Sequence, residues 1–87
     1  MNSVLFSQLK LRSLEVRNRV MVSPIAQYCA EDGAPTEWHL VHLGKFAMGG
    51  AGIVFVEATK VERRGLGTVG DTGLWADHHV PPFKQIA

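Results

Sequence analysis

The sequence predicts an α/β fold that consists of an amino-terminal β-hairpin, one β-α-β unit and the start of a second helix. Residues 19–23 and 51–56 are apolar runs rich in β-branched side chains, a composition typical of strands. The segment between the runs repeats apolar residues at helical spacing. Its length suits one right-handed crossover between two parallel strands.

The amino-terminal part of the chain has the pattern of a hairpin followed by a strand. Polar and apolar residues alternate between Leu9 and Val16, which is the period of half-buried strands. We expect Ser13 and Leu14 to form the turn between the two short strands. Residues 19–23 then form a longer strand, which Pro24 ends because proline has no amide hydrogen and a fixed φ.

The central segment has the signals of an amphipathic helix. Thr36 is a good N-cap residue, and Glu37 places a negative charge in the first turn. The apolar positions on one helix face are Leu40, Leu43 and Ala47. Gly49 and Gly50 are expected to end the helix. About 12 residues of helix cover about 18 Å, which matches a strand of five or six residues.

The carboxyl-terminal half contains a second strand, a long loop and the start of a helix. Residues 51–56 are uninterruptedly apolar, as expected for a parallel strand covered on both faces. Residues 60–79 form a loop longer than a simple connection requires, and such loops usually carry function. Residues 80–87 combine an early proline with helical apolar spacing and are predicted to begin a second helix.

This order of elements predicts part of a larger barrel. A complete (β/α)₈ TIM barrel needs about 250 residues, whereas this chain has 87. We therefore expect residues 1–87 to be one partial domain, the amino-terminal quarter of such a barrel.

Composition excludes several classes of protein. The formal net charge is only +1, which gives no basic surface for nucleic acid. The longest apolar run, residues 51–56, is far shorter than the roughly 20 residues that cross a bilayer. The first six residues lack the basic and apolar regions of a secretion signal. With Cys29 as the single cysteine, these features predict a cytoplasmic protein without an internal disulfide.

Several ordered motifs resemble one family of flavoproteins. They are RNRVMVSPIAQY at residues 17–28, DG at 32–33, WHLVH at 38–42, GGAG at 49–52, EAT at 57–59 and GDTGLW at 70–75. In this order and spacing they resemble the opening of Old Yellow Enzyme family proteins, most closely the thermophilic-like branch that includes xenobiotic reductases. The similarity covers nearly the whole chain from Leu5 onward.

The resemblance implies a noncovalently bound FMN at the carboxyl-terminal mouth of the barrel. The residues expected along the flavin ring are Ser23, Pro24, Ile25, Ala26 and Ala58. Tyr28 matches a tyrosine whose hydroxyl points toward the substrate and polarises a carbonyl or nitro oxygen. The implied reaction is reduction of activated C=C or nitro groups by NAD(P)H through FMN, in a protein that commonly forms homo-oligomers.

Ala26 departs from the pattern of the thermophilic-like branch, which typically has a cysteine near the flavin at this position. Alanine supplies neither a thiol nor a hydrogen bond. The resemblance therefore implies a shifted flavin potential and an altered substrate preference.

Other residues have simpler structural interpretations. His39 and His42 lie three residues apart on the helix, but no third ligand has convincing spacing for a metal, so packing or capping roles are expected. His78 and His79 are expected to be solvated loop residues. Cys29 is expected to be a partly buried, inert thiol.

The tryptophans and the glycine-rich segment also have simple interpretations. Trp38 is expected beside the helix cap and Trp75 as a support within the loop. The glycines at residues 49–52 precede a strand, whereas a dinucleotide-binding loop follows one. A nucleotide-binding loop is therefore not predicted there.

Two alternative functions remain open. Dienoyl-CoA reductases and other CoA-ester oxidoreductases of the same superfamily have similar openings, so the chain could be the flavin domain of such an enzyme. Alternatively, the chain is a noncatalytic truncated product that works only through association, because an incomplete barrel leaves sheet edges open.

Overall fold

The computed structural model describes residues 3–87. Met1 and Asn2, which belong to the segment used in the argument against a secretion signal, lie outside the described residues. The predicted order of elements is confirmed. It consists of strands β1 (Leu9–Leu11), β2 (Leu14–Val16) and β3 (Met21–Val22), helix α1 (Glu37–Met48), strand β4 (Ile53–Val54) and helix α2 (Val80–Ile86).

The amino-terminal hairpin is present, but its turn lies one residue earlier than predicted. Strands β1 and β2 are antiparallel, and Leu11 pairs with Leu14. Leu14 is therefore the first residue of a strand, and the turn residues are Arg12 and Ser13. Arg12 adopts φ 55°, because the twist of a two-residue hairpin loop favours the left-handed region.

Strands β3 and β4 form a two-stranded parallel sheet joined by the α1 crossover. Both are much shorter than the predicted five or six residues. At their start, the carbonyl of Val20 accepts the amides of both Gly52 and Ile53, at 3.0 and 3.2 Å, so the ladder begins irregularly. After β3, the next residue whose backbone nitrogen would face β4 is Pro24. Proline has no amide hydrogen to donate, so the pairing stops there.

Close packing fixes the start of the sheet. The side chain of Asn18 donates to the carbonyl of Gly50 over 2.7 Å and accepts the amide of Val20 over 3.0 Å. A Cβ atom on Gly52 would lie 2.5 Å from the carbonyl oxygen of Asn18. The glycine therefore allows the two backbones to approach each other before the strands pair.

Helix α1 has the predicted length and position. It runs over 12 residues, with Thr36 as the N-cap and Gly49 as the C-cap. Its predicted apolar face borders the sheet, where Leu40, Leu43 and Ala47 line one cleft together with Val54 and Val56. The sequence pattern therefore identified the correct face of the helix.

The sheet is less covered than the sequence predicted. Ile53 and Val54 are only half-buried, and Phe55 and Val56 are 46% and 43% exposed. The apolar composition of residues 51–56 is suited to cover on both faces. Within residues 3–87 only α1 and α2 accompany the two parallel strands, so such cover is incomplete.

The long loop predicted at residues 60–79 is ordered by backbone hydrogen bonds. It contains two 3₁₀ turns, Arg63–Gly65 and Asp77–His79. The amide of Lys60 donates to Thr72 over 3.1 Å, and the amide of Leu74 donates to Lys60 over 2.7 Å. A second contact joins the loop to the segment before α1, where the amide of Gly73 donates to Gly33 over 2.8 Å.

Candidate functional site

The carboxyl ends of β3 and β4 lie side by side. Met21 pairs with Ile53 and Val22 with Val54, and the amide of Phe55 donates to the carbonyl of Val22 over 3.1 Å. Continuing this register places residue 24 opposite residue 56 and residue 26 opposite residue 58. The segments predicted to border a flavin ring therefore lie side by side at the carboxyl ends of the two strands. We call this region, residues 23–26 and 58, the flavin edge.

The surface at this edge suits a flat ligand. Ser23, Pro24 and Ala58 have small or compact side chains and are exposed, and Ala26 is half-buried. Ile25 is larger and 51% exposed. The amides of Ser23, Ile25 and Ala26 donate to no described residue. Residues 23–26 therefore offer both clearance and backbone donors to a ring with oxygen and nitrogen atoms at its edge.

Tyr28 lies on the turn that follows β3. Its side chain is 65% exposed, and its backbone adopts φ 58°, which is uncommon for a bulky residue. Gly70 packs against the same backbone, since a Cβ atom there would lie 2.4 Å from the carbonyl oxygen of Tyr28. The amide of Ala30 donates to Gly70 over 2.9 Å. The long loop thus supports the turn that presents this tyrosine.

Gln27 connects the turn to the start of α1. Its side-chain oxygen accepts the indole N–H of Trp38 over 2.8 Å. Its side-chain nitrogen Nε2 donates to the carbonyl of Ile25 over 3.1 Å. Trp38 is 58% exposed. Its place beside the helix cap agrees with the sequence interpretation.

Glu57 is a buried carboxylate that the sequence interpretation did not single out. It is 7% exposed and follows the apolar run of β4. Its Oε2 accepts the amide of Gln27 over 3.3 Å. The sequence signals for Glu57 were its place at the end of an apolar run and in the EAT motif, but neither indicated this contact, because the partner is 30 residues away in the chain.

His39 faces Glu57 from the first turn of α1 and is 3% exposed. Its Nδ1 accepts the amide of Thr36 over 2.9 Å, so this histidine completes the helix cap. Its Nε2 lies 3.4 Å from Oε2 of Glu57. The predicted packing or capping role of His39 is confirmed, and His42 packs edge-on against Phe46 with ring centroids 5.2 Å apart.

A caged carboxylate stabilises the long loop. Asp71 accepts hydrogen bonds from the Thr68 hydroxyl over 2.7 Å, the Gly67 amide over 2.9 Å and the Lys60 ammonium over 3.2 Å. The side chain of Thr68, with further bonds from Lys60 and the backbone, lowers the pKa of Asp71 to about 2. Ionised Asp71 therefore holds the turn at residues 67–71 closed.

The prediction for His79 was wrong, because this residue is completely buried. Its Nδ1 accepts the amide of Trp75 over 3.2 Å, and its Nε2 lies 2.8 Å from the carbonyl oxygen of Asp32. The Trp75 ring packs edge-on against the imidazole of His79, with ring centroids 4.6 Å apart. His79 thus joins the loop to the Asp32 turn, with Trp75 as the predicted support. His78 remains exposed.

The prediction for Cys29 was also wrong, because its side chain is exposed. The thiol donates to the carbonyl of Gln27 over 3.2 Å, since the turn at Tyr28 directs the following residue outward. Among residues 3–87, no group of three or more His, Cys, Asp and Glu side chains is arranged to hold a metal ion. The helices found in this range are too short or too polar to cross a membrane.

Comparison with known proteins agrees with this geometry. The chain is 42% identical over 81 residues to an NADH:flavin oxidoreductase of Gibberella zeae, covering 93% of the chain. It is 41% identical over 86 residues to an NADPH dehydrogenase of Listeria monocytogenes, covering 97% of the chain. The chain spans 20% and 25% of these two relatives.

Solved structures share the fold of this chain. Morphinone reductase in complex with tetrahydroNAD superposes with a TM-score of 0.86 at 30% identity, over 98% of this chain and 23% of that protein. A 2-naphthoyl-CoA reductase superposes with a TM-score of 0.88 at 27% identity, over 95% of this chain and 13% of that protein. The model of the NADH:flavin oxidoreductase / NADH oxidase family matches residues 4–87. The chain belongs to this family.

Proposed function

We propose that this chain forms the first quarter of a TIM-barrel enzyme that uses FMN and NAD(P)H to reduce activated C=C bonds or nitro groups. The observation that carries the proposal is the pair of neighbouring strand ends at residues 23–26 and at Ala58, with unpaired amides at Ser23, Ile25 and Ala26 among the described residues. Membership of the family and the names of the relatives support the cofactor and the reductant.

Residues 23–26 and Ala58 would hold the ring of FMN. Compact side chains leave room for a planar group, and the backbone amides can donate to its polar edge. When bound, FMN supplies the hydride-transfer chemistry between nicotinamide and substrate. The protein's part at this edge is to fix the ring and to exclude water from one side of it.

Tyr28 is the proposed catalytic residue. Its phenol would donate a hydrogen bond to the carbonyl or nitro oxygen of the substrate and stabilise the negative charge that develops there. The support for this role is its exposed side chain next to residues 23–26, on a turn that Gly70 and Ala30 hold in place.

Ala26 is the proposed tuning position. It lies where a thiol is typical of the thermophilic-like branch, and a methyl group cannot hydrogen-bond to the ring. We expect Ala26→Cys to change the flavin midpoint potential in a spectroelectrochemical titration, and an unchanged potential would refute this role.

A CoA ester is the second candidate substrate class. The observation in its favour is the superposition with 2-naphthoyl-CoA reductase. The two classes differ in how the substrate is held, because a CoA ester needs a site for its phosphates as well as for the reacting double bond. Steady-state reduction of N-ethylmaleimide against that of an enoyl-CoA ester separates them.

The proposal also includes a cytoplasmic location and a homo-oligomer. The alternative, a noncatalytic chain that acts only through association, rests on the large exposed apolar residues, which include Phe55, Val56 and Met48 at 46%, 43% and 92% exposure. Such exposed surface is unusual for a protein that acts alone.

The test is to purify the protein expressed from the complete reading frame. The proposal predicts a yellow protein with the absorbance of bound FMN and with NAD(P)H oxidation that depends on an activated alkene. A colourless protein that does not bind added FMN would contradict it and favour the noncatalytic alternative.

A further inference from the structure

Glu57 and His39 form a buried polar pair between the sheet and α1 that the proposed chemistry does not use. Glu57 is 7% exposed and His39 is 3% exposed. Charged side chains such as glutamate are rarely buried unless they are paired with another polar group. Glu57 lies three residues after the end of β4, and His39 lies in the first turn of α1. The pair therefore connects two elements that border the flavin edge.

The contact made by Glu57 acts directly on the proposed site. Its Oε2 accepts the N–H of Gln27 over 3.3 Å. That N–H belongs to the peptide group between Ala26 and Gln27, so the carboxylate fixes the peptide that separates Ala26 from the Tyr28 turn. The strand-to-strand hydrogen bonds stop at the end of β3, before Pro24. Beyond that point Glu57 holds the backbone at Gln27.

His39 contacts this carboxylate from the first turn of α1. Its Nδ1 accepts the N–H of Thr36 over 2.9 Å and therefore carries no proton. In the neutral ring the proton is on Nε2, which lies 3.4 Å from Oε2 of Glu57 and is buried without a hydrogen-bond partner among the described residues. Glutamate or glutamine at this helix position would complete the cap equally well. Glutamine also carries an N–H, whereas glutamate has only acceptor oxygens and presents no N–H toward Glu57.

Glu57 lies beside the amino-terminal turn of α1. The carboxylate contacts the third residue of α1, and the amino-terminal turn of a helix carries a partial positive charge. The contacts on Oε2 are a backbone N–H and the imidazole nitrogen. They are suited to hold an oxygen atom at one point rather than to transfer a proton.

We propose that Glu57 is a positioning residue that sets the placement of Ala26 and Tyr28 at the flavin edge, with His39 as its orienting partner. This inference rests on the proposed function. The critical property of Glu57 is the reach of its oxygen to the Gln27 amide. Glu57→Gln keeps that reach without the charge, whereas Glu57→Asp keeps the charge but shortens the side chain by one methylene group.

The experiment compares these two variants in the FMN-loaded protein. We expect Glu57→Gln to keep the flavin absorption bands and kcat for the alkene within about threefold of the unmodified protein. Glu57→Asp should shift the bands and lower kcat by about 10- to 100-fold, because a displacement of about 1 Å in a catalytic group has an effect of this size. NAD(P)H oxidation in the absence of alkene reports the reductive half separately.

Val16→Ala is the control for a general loss of stability. Val16 is buried in the amino-terminal hairpin, so its truncation should lower the unfolding temperature and leave the flavin bands unchanged. A Gln variant that performs no better than the Asp variant would overturn the proposal. Failure of the unmodified protein to bind FMN would instead count against the proposed function.

His39 provides a second pair of variants that does not alter Glu57. His39→Glu keeps the helix cap and His39→Leu removes it, and both remove the N–H that faces Glu57. We expect the flavin bands to shift in both variants, with an additional lowering of the unfolding temperature in the leucine variant, which lacks the cap. Unchanged bands in His39→Glu would contradict the orienting role.

Discussion

At the scale of single residues, the candidate site depends on a few side chains held by contacts from distant parts of the chain. Tyr28 is presented on a left-handed turn at φ 58°, and the amide before it is held by Glu57. The contact partners come from positions 57 and 70, far along the sequence.

Tyr28→Phe should slow reduction of the substrate without changing the reduction of FMN by NAD(P)H. The substitution removes one hydrogen-bond donor and keeps the ring, and the loss of such a donor typically lowers kcat by about 100- to 1,000-fold. Stopped-flow measurement of the two half-reactions tests it. Equal slowing of both half-reactions would show that Tyr28 acts on the flavin site rather than on the substrate.

Asp71 should make stability depend on acid pH. Its pKa is about 2 in the folded protein against an ordinary value of 3.8. As the pH falls, Asp71 is protonated in the unfolded chain before it is protonated in the folded protein. The stability that ionised Asp71 contributes is therefore fully present above about pH 4 and is lost as the pH falls toward 2.

Denaturant unfolding between pH 2 and pH 7 measures this effect. Asp71→Asn should be less stable at pH 7 and should show a smaller loss of stability between pH 4 and pH 2. Asp77→Asn, which changes an exposed carboxylate, is the matched control and should follow the unmodified protein. Identical pH profiles for Asp71→Asn and the unmodified protein would refute the account of the loop.

Single-residue interpretation from sequence worked where a residue acts through local geometry. Thr36 and Gly49 were identified as helix caps because capping depends on neighbouring residues. Glu57 was missed and His79 was misassigned, because their burial depends on partners 30 and 47 residues away. The sequence near His79 does not indicate that its imidazole contacts the carbonyl oxygen of Asp32.

At the scale of elements, the order of strands and helices was predictable and their lengths were not. The α1 helix followed from its caps and the spacing of its apolar residues. The strands were overestimated because apolar β-branched runs show where a strand can form, whereas pairing depends on the available amides. Pro24 and the close approach at Gly52 limit that pairing.

Two glycines with different surroundings test the packing of these elements. Gly44 lies inside α1 with no atom within 4 Å of a Cβ position, so Gly44→Ala should increase stability by about 0.5–1 kcal/mol. Gly70→Ala should be destabilising, because its Cβ atom would lie 2.4 Å from the carbonyl oxygen of Tyr28.

Thermal unfolding of the two variants checks this expectation, and substrate reduction adds a functional measurement. Only the Gly70 variant should lose activity, because it displaces the Tyr28 turn. Full activity in a stably folded Gly70→Ala protein would show that the loop does not support that turn.

At the scale of the whole molecule, the chain has a sheet edge with unpaired amides among residues 23–26 and an incompletely covered apolar surface. The buried hydrophobic residues among the described ones are Val16 and Ala30. The proposed partial barrel would leave both features, and the chain spans 20% and 25% of the two relatives. The motifs between residues 17 and 75 predicted that relationship.

The most direct test of the account is the affinity for FMN of an Ala58→Trp variant, measured by quenching of flavin fluorescence in the protein expressed from the complete reading frame. Met48→Trp, at an exposed position at the end of α1, is the control. If the two strand ends hold the flavin ring, Ala58→Trp should weaken FMN binding at least about 100-fold, which is about 2.7 kcal/mol, while Met48→Trp binds normally. Unchanged affinity in a folded Ala58→Trp protein would contradict the central claim.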